Sequence, residues 1–218
     1  MKIVVATRNP GKLREIRLGL EGLAVELLSL ADFPAAPAVE EDGDSFAANA
    51  VKKARALCAY TGLPALADDS GLEVDALQGA PGIRSARFAG EGATDAENNV
   101  KLISLLHGIP LERRTARFRC VIALAWPRQL GSDLYFKHKA WEGEVETVEG
   151  IAEGVILDKP RGAQGFGYDP LFYSPELDAT FSEVAAERKL RVSHRGKALA
   201  RIRQLLQSSE KRQEGPGT

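Results

Sequence analysis

Cysteine is scarce in this chain. Cys58 and Cys120 are the only two in 218 residues, so a disulfide framework is not expected. One lies in a helical pattern and the other in a strand pattern, and both read as small core residues. Net charge is nearly absent at −1, which argues against a general nucleic-acid binder with a basic surface throughout. No apolar run approaches the roughly 20 residues needed to cross a bilayer, and the opening Met1-Lys-Ile-Val-Val-Ala-Thr7 lacks the length of a signal peptide. A cytoplasmic protein without a membrane partner is expected. Internal repeats are also missing.

What is present is an ordinary globular composition, 44% apolar and 27% charged, over a length that suits one sizeable core. The charge is unevenly spread. Glu40, Glu41, Asp42 and Asp44 form an acidic cluster, while residues 182–212 are strongly basic. That separation suits either a site holding metal and polyanion together or two solvated faces.

Residues 2–6 read as a buried strand that feeds a helix through Thr7-Arg-Asn-Pro-Gly-Lys12. Asn9 is placed as N-cap with Pro10 at N1, and Leu13, Ile16 and Leu20 follow at helical spacing. Unpaired first-turn N–H groups, with Thr7, Asn9 and Lys12, make this end a candidate anion site. It is not a Walker A loop, because the required glycine spacing and the hydroxyl after the lysine are missing. Residues 25–28 read as a second strand, and 45–60 as a helix with Phe46, Ala50, Val51, Ala54, Leu57 and Cys58 on its apolar face and Lys53 two turns in.

Ala65 to Ala67 reads as the end of a strand that delivers Asp68 and Asp69 into Ser70-Gly71. Neighbouring strand side chains point to opposite faces, so one aspartate is expected to face a site while the other ties down the following loop. Gly79, Pro81 and Gly82 then hold an irregular segment that offers Arg84, Ser85 and Arg87. Thr94 and Glu97 spell a capping box for a helix running to about residue 106. Strands are expected over 117–126, over 134–140, around Glu142, Glu144 and Glu146, and again within 150–157.

The stretch 160–172 combines glycines with Phe166, Tyr168 and Phe172, a composition that lets a backbone approach a flat ligand while a ring stacks on it. Hydrophobic plugging of a bend would use the same residues. A last helix is expected over 196–206, preceded by Lys189 and by Ser193-His-Arg195, where donors could meet a base edge or a phosphate. Residues 208–218 read as a disordered polar tail after a single domain of residues 1–207.

Four blocks in order resemble the inosine triphosphatase family, the non-canonical purine nucleoside triphosphate pyrophosphatases. They are Thr7 to Lys12; Glu41 to Phe46 with Asn49 and Lys53; Leu66 to Leu72 with Gly79 to Ile83 and Ser85 to Arg87; and Gly165 to Pro170 with Ser193 to Ala198. The resemblance implies an α/β fold of the inosine-triphosphatase type: a long mixed twisted sheet with flanking helices and a cleft between two lobes. It implies hydrolysis of ITP, dITP and XTP to monophosphate and pyrophosphate with Mg²⁺, by a homodimer that forms no stable nucleic-acid complex.

Residue by residue, the family's phosphate-binding positions fall on Thr7, Asn9, Lys12 and Lys53, with Ser70 beside them. Its metal ligands fall on Glu41 and Asp69, Asp69 being also the candidate catalytic base. Its base-recognition positions fall on Phe166, Tyr168, Asp169, Lys189, Ser193, His194 and Arg195. Three departures stand out: Asp42 where a threonine is usual, Ala48 where a glutamate is common, and Arg84 where an aromatic is frequent. The extra acid leaves the metal ligand open among Glu40, Glu41 and Asp42.

Overall fold

A computed structural model of the protein describes residues 1–127 and 143–213. Strand β1 (Lys2–Val5) leads into helix α1 (Pro10–Gly19), then β2 (Glu26–Leu28), helix α2 (Phe46–Thr61) and the long strand β3 (Ala65–Val74). Helix α3 (Asp95–Leu105), the long strands β4 (Thr115–Ala125) and β5 (Val145–Ile156), short β6 (Phe172–Ser174) and β7 (Ala179–Thr180), and helices α4 (Ala186–Val192) and α5 (His194–Gln213) complete it.

The helix boundaries follow local chemistry. Asn9 caps α1 by accepting the Lys12 N–H, with Pro10 supplying the preset φ of a first position. Ser45 caps α2, which ends at Gly62 in a left-handed conformation. The Thr94–Glu97 capping box opens α3.

The seven strands form one mixed sheet in the order β2-β1-β3-β4-β5-β6-β7. β1 is parallel to both β2 and β3, and every later pairing is antiparallel. Alternation along the strands makes two different faces. Leu66, Cys120, Ile122 and Leu124 pack with α1 and α5, whereas Ala65, Ala67, Val121, Ala123 and Ala125 pack with α2. A third cluster, built on Leu72, Phe118, Phe172 and Phe181, fills the far end of the long strands. Both cysteines are buried and no disulfide joins them, as composition implied. Among the described residues no helix is long and apolar enough to cross a membrane.

The structure revises several expectations. Asp68 and Asp69 do not end a strand: β3 continues through them to Val74, and both pair in register with β4, Asp68 opposite Ile122 and Asp69 opposite Val121. Cross-strand pairing along the whole of β4 outweighs the local turn signal of Ser70-Gly71. The two strands expected on either side of Gly150 are one, β5. Gly150 is tolerated mid-strand because α5 lies directly on it, where a Cβ would come 2.0 Å from the His194 carbonyl oxygen.

Helix α4, which carries Lys189, was not expected. The tail boundary at 208 falls inside α5, which continues to Gln213 because residues 208–213 contain no glycine or proline. The strand expected over 134–140, and Glu142, lie outside the described residues.

Candidate active site

β1 stops at Val5 while its neighbour β3 runs on to Val74, and the pairing between them covers only Val4 with Ala65 and Val5 with Leu66. The edge of β3 from Asp68 to Gly71 is therefore uncovered. From the end of β1 the chain crosses to β2 on one side, and β3 lies on the other, so this is a topological switch point at the carboxyl end of a parallel strand, where α/β sheets place ligands. A cleft of about 370 Å³ opens here. It is within the range of small-molecule sites.

One wall is the start of α1. Thr7, Asn9 and Lys12 all line the cleft. Capping leaves fewer free donors than the sequence implied: Pro10 has no N–H, Lys12 N–H goes to Asn9 Oδ1, and Asn9 N–H goes to Thr7 Oγ1. The Gly11 N–H and the Lys12 ammonium remain for an anion, with the Lys12 Nζ 3.3 Å from Asp68.

On the α2 face of β3, Lys53 Nζ lies 3.1 Å from Glu41 and 3.5 Å from Asp69, and donates to the exposed-edge carbonyl of Asp68 at 2.7 Å. Asn49, a buried residue that the sequence reading left without a role, joins Gly43 N–H to Asp69 Oδ2 through its side-chain amide. Burial raises the Asp69 carboxyl above its ordinary value and Glu41 adds to the rise, with Lys53, Lys12 and Asn49 opposing. Of the three neighbouring acids, Glu41 alone lines the cleft, while Asp42 is paired with Lys52 outside it.

On the opposite face Asp68 meets a buried chain of alternating charge. Arg195 donates to Asp68 Oδ2 from Nε and Nη2, to Ser70 Oγ from Nη2, and to Glu15 from Nη1. Lys189 continues it, 2.8 Å from Glu15 and 2.5 Å from Asp169. Burial works against ionising Asp68, but Lys12, Arg195 and Lys53 hold its carboxyl far below the usual range. Glu15 is likewise lowered, burial being outweighed by Arg195 and Lys189.

Glu15 is absent from the sequence reading. Its partners Lys189 and Arg195 lie far along the chain, so nothing within α1 marked it as part of the site.

The third wall is the turn Phe166 to Asp169. Tyr168 is buried and donates its hydroxyl to the Ser85 carbonyl, and the Phe166 ring lies 4.9 Å from Lys189 Nζ and 5.7 Å from Arg195. Burial raises the Asp169 carboxyl, with Lys189 opposing. His194 lines the cleft stacked on Phe118 at 4.6 Å, and its Nδ1 has no partner among the described residues. Burial, then Arg195 and Lys189, hold the imidazole well below its ordinary value, so it is neutral and a weak base.

Two expectations change here. Ser193 does not line the cleft: its hydroxyl accepts the Gly196 N–H at the start of α5. Arg195 is not a free donor, since four of its five N–H groups are committed to buried partners. The other expected residues, Thr7, Asn9, Lys12, Glu41, Lys53, Asp69, Ser70, Phe166, Tyr168, Asp169, Lys189 and His194, share the one cleft.

Fold and cleft together define a mixed-sheet α/β protein with carboxylates and lysines at a switch point, an anion-competent helix start on one side and a glycine-aromatic turn on the other. The chain belongs to the Ham1 family, whose profile matches residues 3–205. It is 55% identical over 202 residues to the dITP/XTP pyrophosphatase of Geobacter sulfurreducens, covering 93% of this chain and 94% of that protein. The dITP/XTP pyrophosphatase of Desulforamulus reducens is 52% identical over 206 residues, covering 94% and 96%. The solved structure of a HAM1 protein from Coxiella burnetii superposes with a TM-score of 0.80 at 39% identity, covering 95% of this chain and 99% of that one.

Proposed function

We propose that this protein hydrolyses the non-canonical purine nucleoside triphosphates ITP, dITP and XTP to the monophosphate and pyrophosphate, removing deaminated purines before they enter DNA and RNA. The observation that carries the reading is the order of groups in one cleft: the start of α1 and Lys53, then Asp69 with Glu41, then the Phe166 turn. The names of the family relatives agree with it.

Charge balance supports a divalent cation. Six basic side chains line the cleft, Arg8, Lys12, Lys53, Arg87, Lys189 and Arg195, against the four acids Glu41, Asp69, Asp95 and Asp169. Asp68 and Glu15 directly behind them cancel the difference. A triphosphate entering a neutral site needs additional positive charge. Glu41 and Asp69 converge on the same lysine ammonium, and two hard carboxylates completed by phosphate and water oxygens suit Mg²⁺. Bound there, Mg²⁺ would supply Lewis-acid stabilisation of phosphate charge.

The residues themselves divide the remaining work. Thr7, Asn9, Lys12 and Lys53 hold the phosphates, and Ser70 braces Arg195 beside them. Asp69 accepts a proton from the attacking water, whose oxygen bonds to the α-phosphorus as the bond to the bridging oxygen breaks and pyrophosphate leaves. The raised proton affinity of Asp69 suits that role.

At the base end, Phe166 and Tyr168 shape the pocket and Asp169 orients Lys189, while His194 offers its free ring nitrogen. Lys189 and Arg195 each retain one N–H after their buried pairings, and a 6-oxo group can accept both. The 6-amino group of adenine would set donor against donor, at about 1 to 3 kcal/mol for each buried mismatch. We extend the reading to a cytoplasmic homodimer acting on free nucleotides through a single domain of residues 1–207, on the family resemblance.

Product analysis tests it: ITP, dITP, XTP, ATP, GTP, dUTP and dTTP are incubated with and without Mg²⁺. Metal-dependent IMP and XMP with pyrophosphate, and little AMP or GMP, are expected. Diphosphate with orthophosphate would overturn attack at the α-phosphorus.

A further inference from the structure

The turn that carries Phe166 is gripped from the α3 side of the cleft. Gly167, at φ +62°, is a left-handed residue in the middle of that turn, and both polar edges of its backbone are held by one helix. Its N–H donates to Asp95 Oδ2 at 2.6 Å, and its carbonyl accepts from Asn99 Nδ2 at 3.0 Å. Asp95 and Asn99 are four residues apart on α3 and therefore share a face.

The helix behind them is itself anchored. The Thr94–Glu97 box fixes its start, and Asn98 accepts the Ala89 N–H at 2.7 Å and donates to the Ala86 carbonyl at 3.2 Å.

Gly167 links two well-seated residues. Ahead of it, the Phe166 ring stands so close to α1 that a Cβ on Gly11 would fall 2.4 Å from the ring. Behind it, the Tyr168 hydroxyl is tied to the Ser85 carbonyl. The Phe166 N–H is itself held by Asp169 Oδ2 at 3.0 Å, so the position of the ring depends on that bond together with the grip on Gly167.

We propose that Asp95 and Asn99 are positioning residues for base recognition: by holding both edges of the Gly167 peptide they set the Phe166 ring against the purine. The inference rests on the nucleotide reading above and deepens it at the base end. Asp95 and Asn99 act through Gly167, and neither is assigned contact with the reacting atoms. Losing one of these hydrogen bonds weakens the grip on the base and leaves the phosphate contacts as they were.

Asn99→Ala and Asp95→Ala are compared with the full-length wild-type protein in three measurements: steady-state kinetics on ITP, inhibition by pyrophosphate, and backbone hydrogen exchange over residues 164–170. Each variant is expected to raise KM for ITP about tenfold, with a smaller change in kcat. For Asn99→Ala, inhibition by pyrophosphate, which has no base, stays at the wild-type value; for Asp95→Ala, which also removes a charge lining the cleft, ITP affinity falls by more than pyrophosphate affinity changes, and exchange in the turn accelerates in both. Asp95→Asn keeps an oxygen acceptor and is expected to recover most of the KM.

Faster exchange with unchanged KM would overturn the proposal, as would equal losses of ITP and pyrophosphate affinity, which mark a general loosening of the cleft. A wild-type protein that turns over none of the nucleotides would bring down the nucleotide reading itself. Wild-type turnover with unaltered variants would remove the positioning role alone.

Discussion

Asp68 and Asp69 are the same residue type at consecutive positions of one strand, both are buried, and their carboxyls are driven in opposite directions. Asp68 faces α1 and α5, where Arg195, Lys12 and Ser70 contact its Oδ2 and the charge chain continues through Glu15 and Lys189 to Asp169. Asp69 faces α2 and the open cleft, where Asn49 and a longer contact to Lys53 are balanced by the negative charge of Glu41. Strand alternation separates them, and each face then decides what its carboxylate can do. One is held at Oδ2 by fixed cations and serves as structure, its buried Oδ1 having no partner among the described residues. The other faces the open cleft with its carboxyl raised, the state that the proposed chemistry calls for.

The largest expected effects would break this contrast outright if they failed. Asp69→Asn is expected to lower kcat on ITP by about 10² to 10⁴, the usual contribution of a positioned base, while its unfolding midpoint stays near wild type. Asp68→Asn is expected to lose about 3 to 5 kcal/mol of stability, because the buried charge chain would lose one of the two carboxylates paired with Arg195 and be left with excess positive charge. Turnover and denaturant unfolding of both variants check this together. If both lost turnover with folds intact, Asp68 would be chemical too.

A smaller effect sharpens the contrast through pH. The folded values of Asp68 and Glu15 lie below the ordinary 3.8 and 4.5, so the unfolded chain binds protons first as pH falls. Their stabilisation is complete above about pH 5 and is lost as pH drops through roughly 4 toward the lowered folded values. Asp69 has the opposite sign. Its contribution is present below the ordinary carboxylate value and is lost as pH rises through the raised one. Unfolding of the metal-free protein between pH 7 and 3 is therefore expected to show falling stability at the acid end. Glu15→Gln should flatten that fall, while Asp69→Asn should leave it and raise stability at neutral pH.

The smallest effect concerns the packing behind the Asp68 face. A Cβ at Gly150 would meet the His194 carbonyl and the Ala198 N–H, at 2.0 and 2.6 Å, both backbone atoms that cannot swing aside. Gly150→Ala is expected to cost about 1 to 3 kcal/mol by overpacking and to reduce kcat less than Asp69→Asn does. Thermal unfolding with kinetics on ITP would check it.

Much of this was legible in the chain. The Asn9 and Thr94 caps, the α2 face from Phe46 to Cys58, and the opposed sides of Asp68 and Asp69 all follow from short-range periodicity and capping chemistry, which involve neighbours within a few residues. The family blocks name many of the residues that line the one cleft. Less was legible where partners lie far apart. The continuation of β3 past Ser70-Gly71 depends on pairing with β4 some fifty residues on. Helix α4 and the extension of α5 to Gln213 were read as connection and tail.

By itself the sequence determined the starts of the main helices and the opposed faces of Asp68 and Asp69, because side-chain period and capping are local, while the kind of fold and the grouping of residues into one cleft came from the family resemblance. Only the tertiary structure decided which carboxylate is pinned by cations and which faces the open cleft, that Arg195 is largely committed to Asp68 and Glu15, and that α3 holds the Gly167 peptide. Those outcomes depend on residues up to 180 positions apart meeting in a buried, weakly screening interior, where one nearby charge sets the state of a carboxyl.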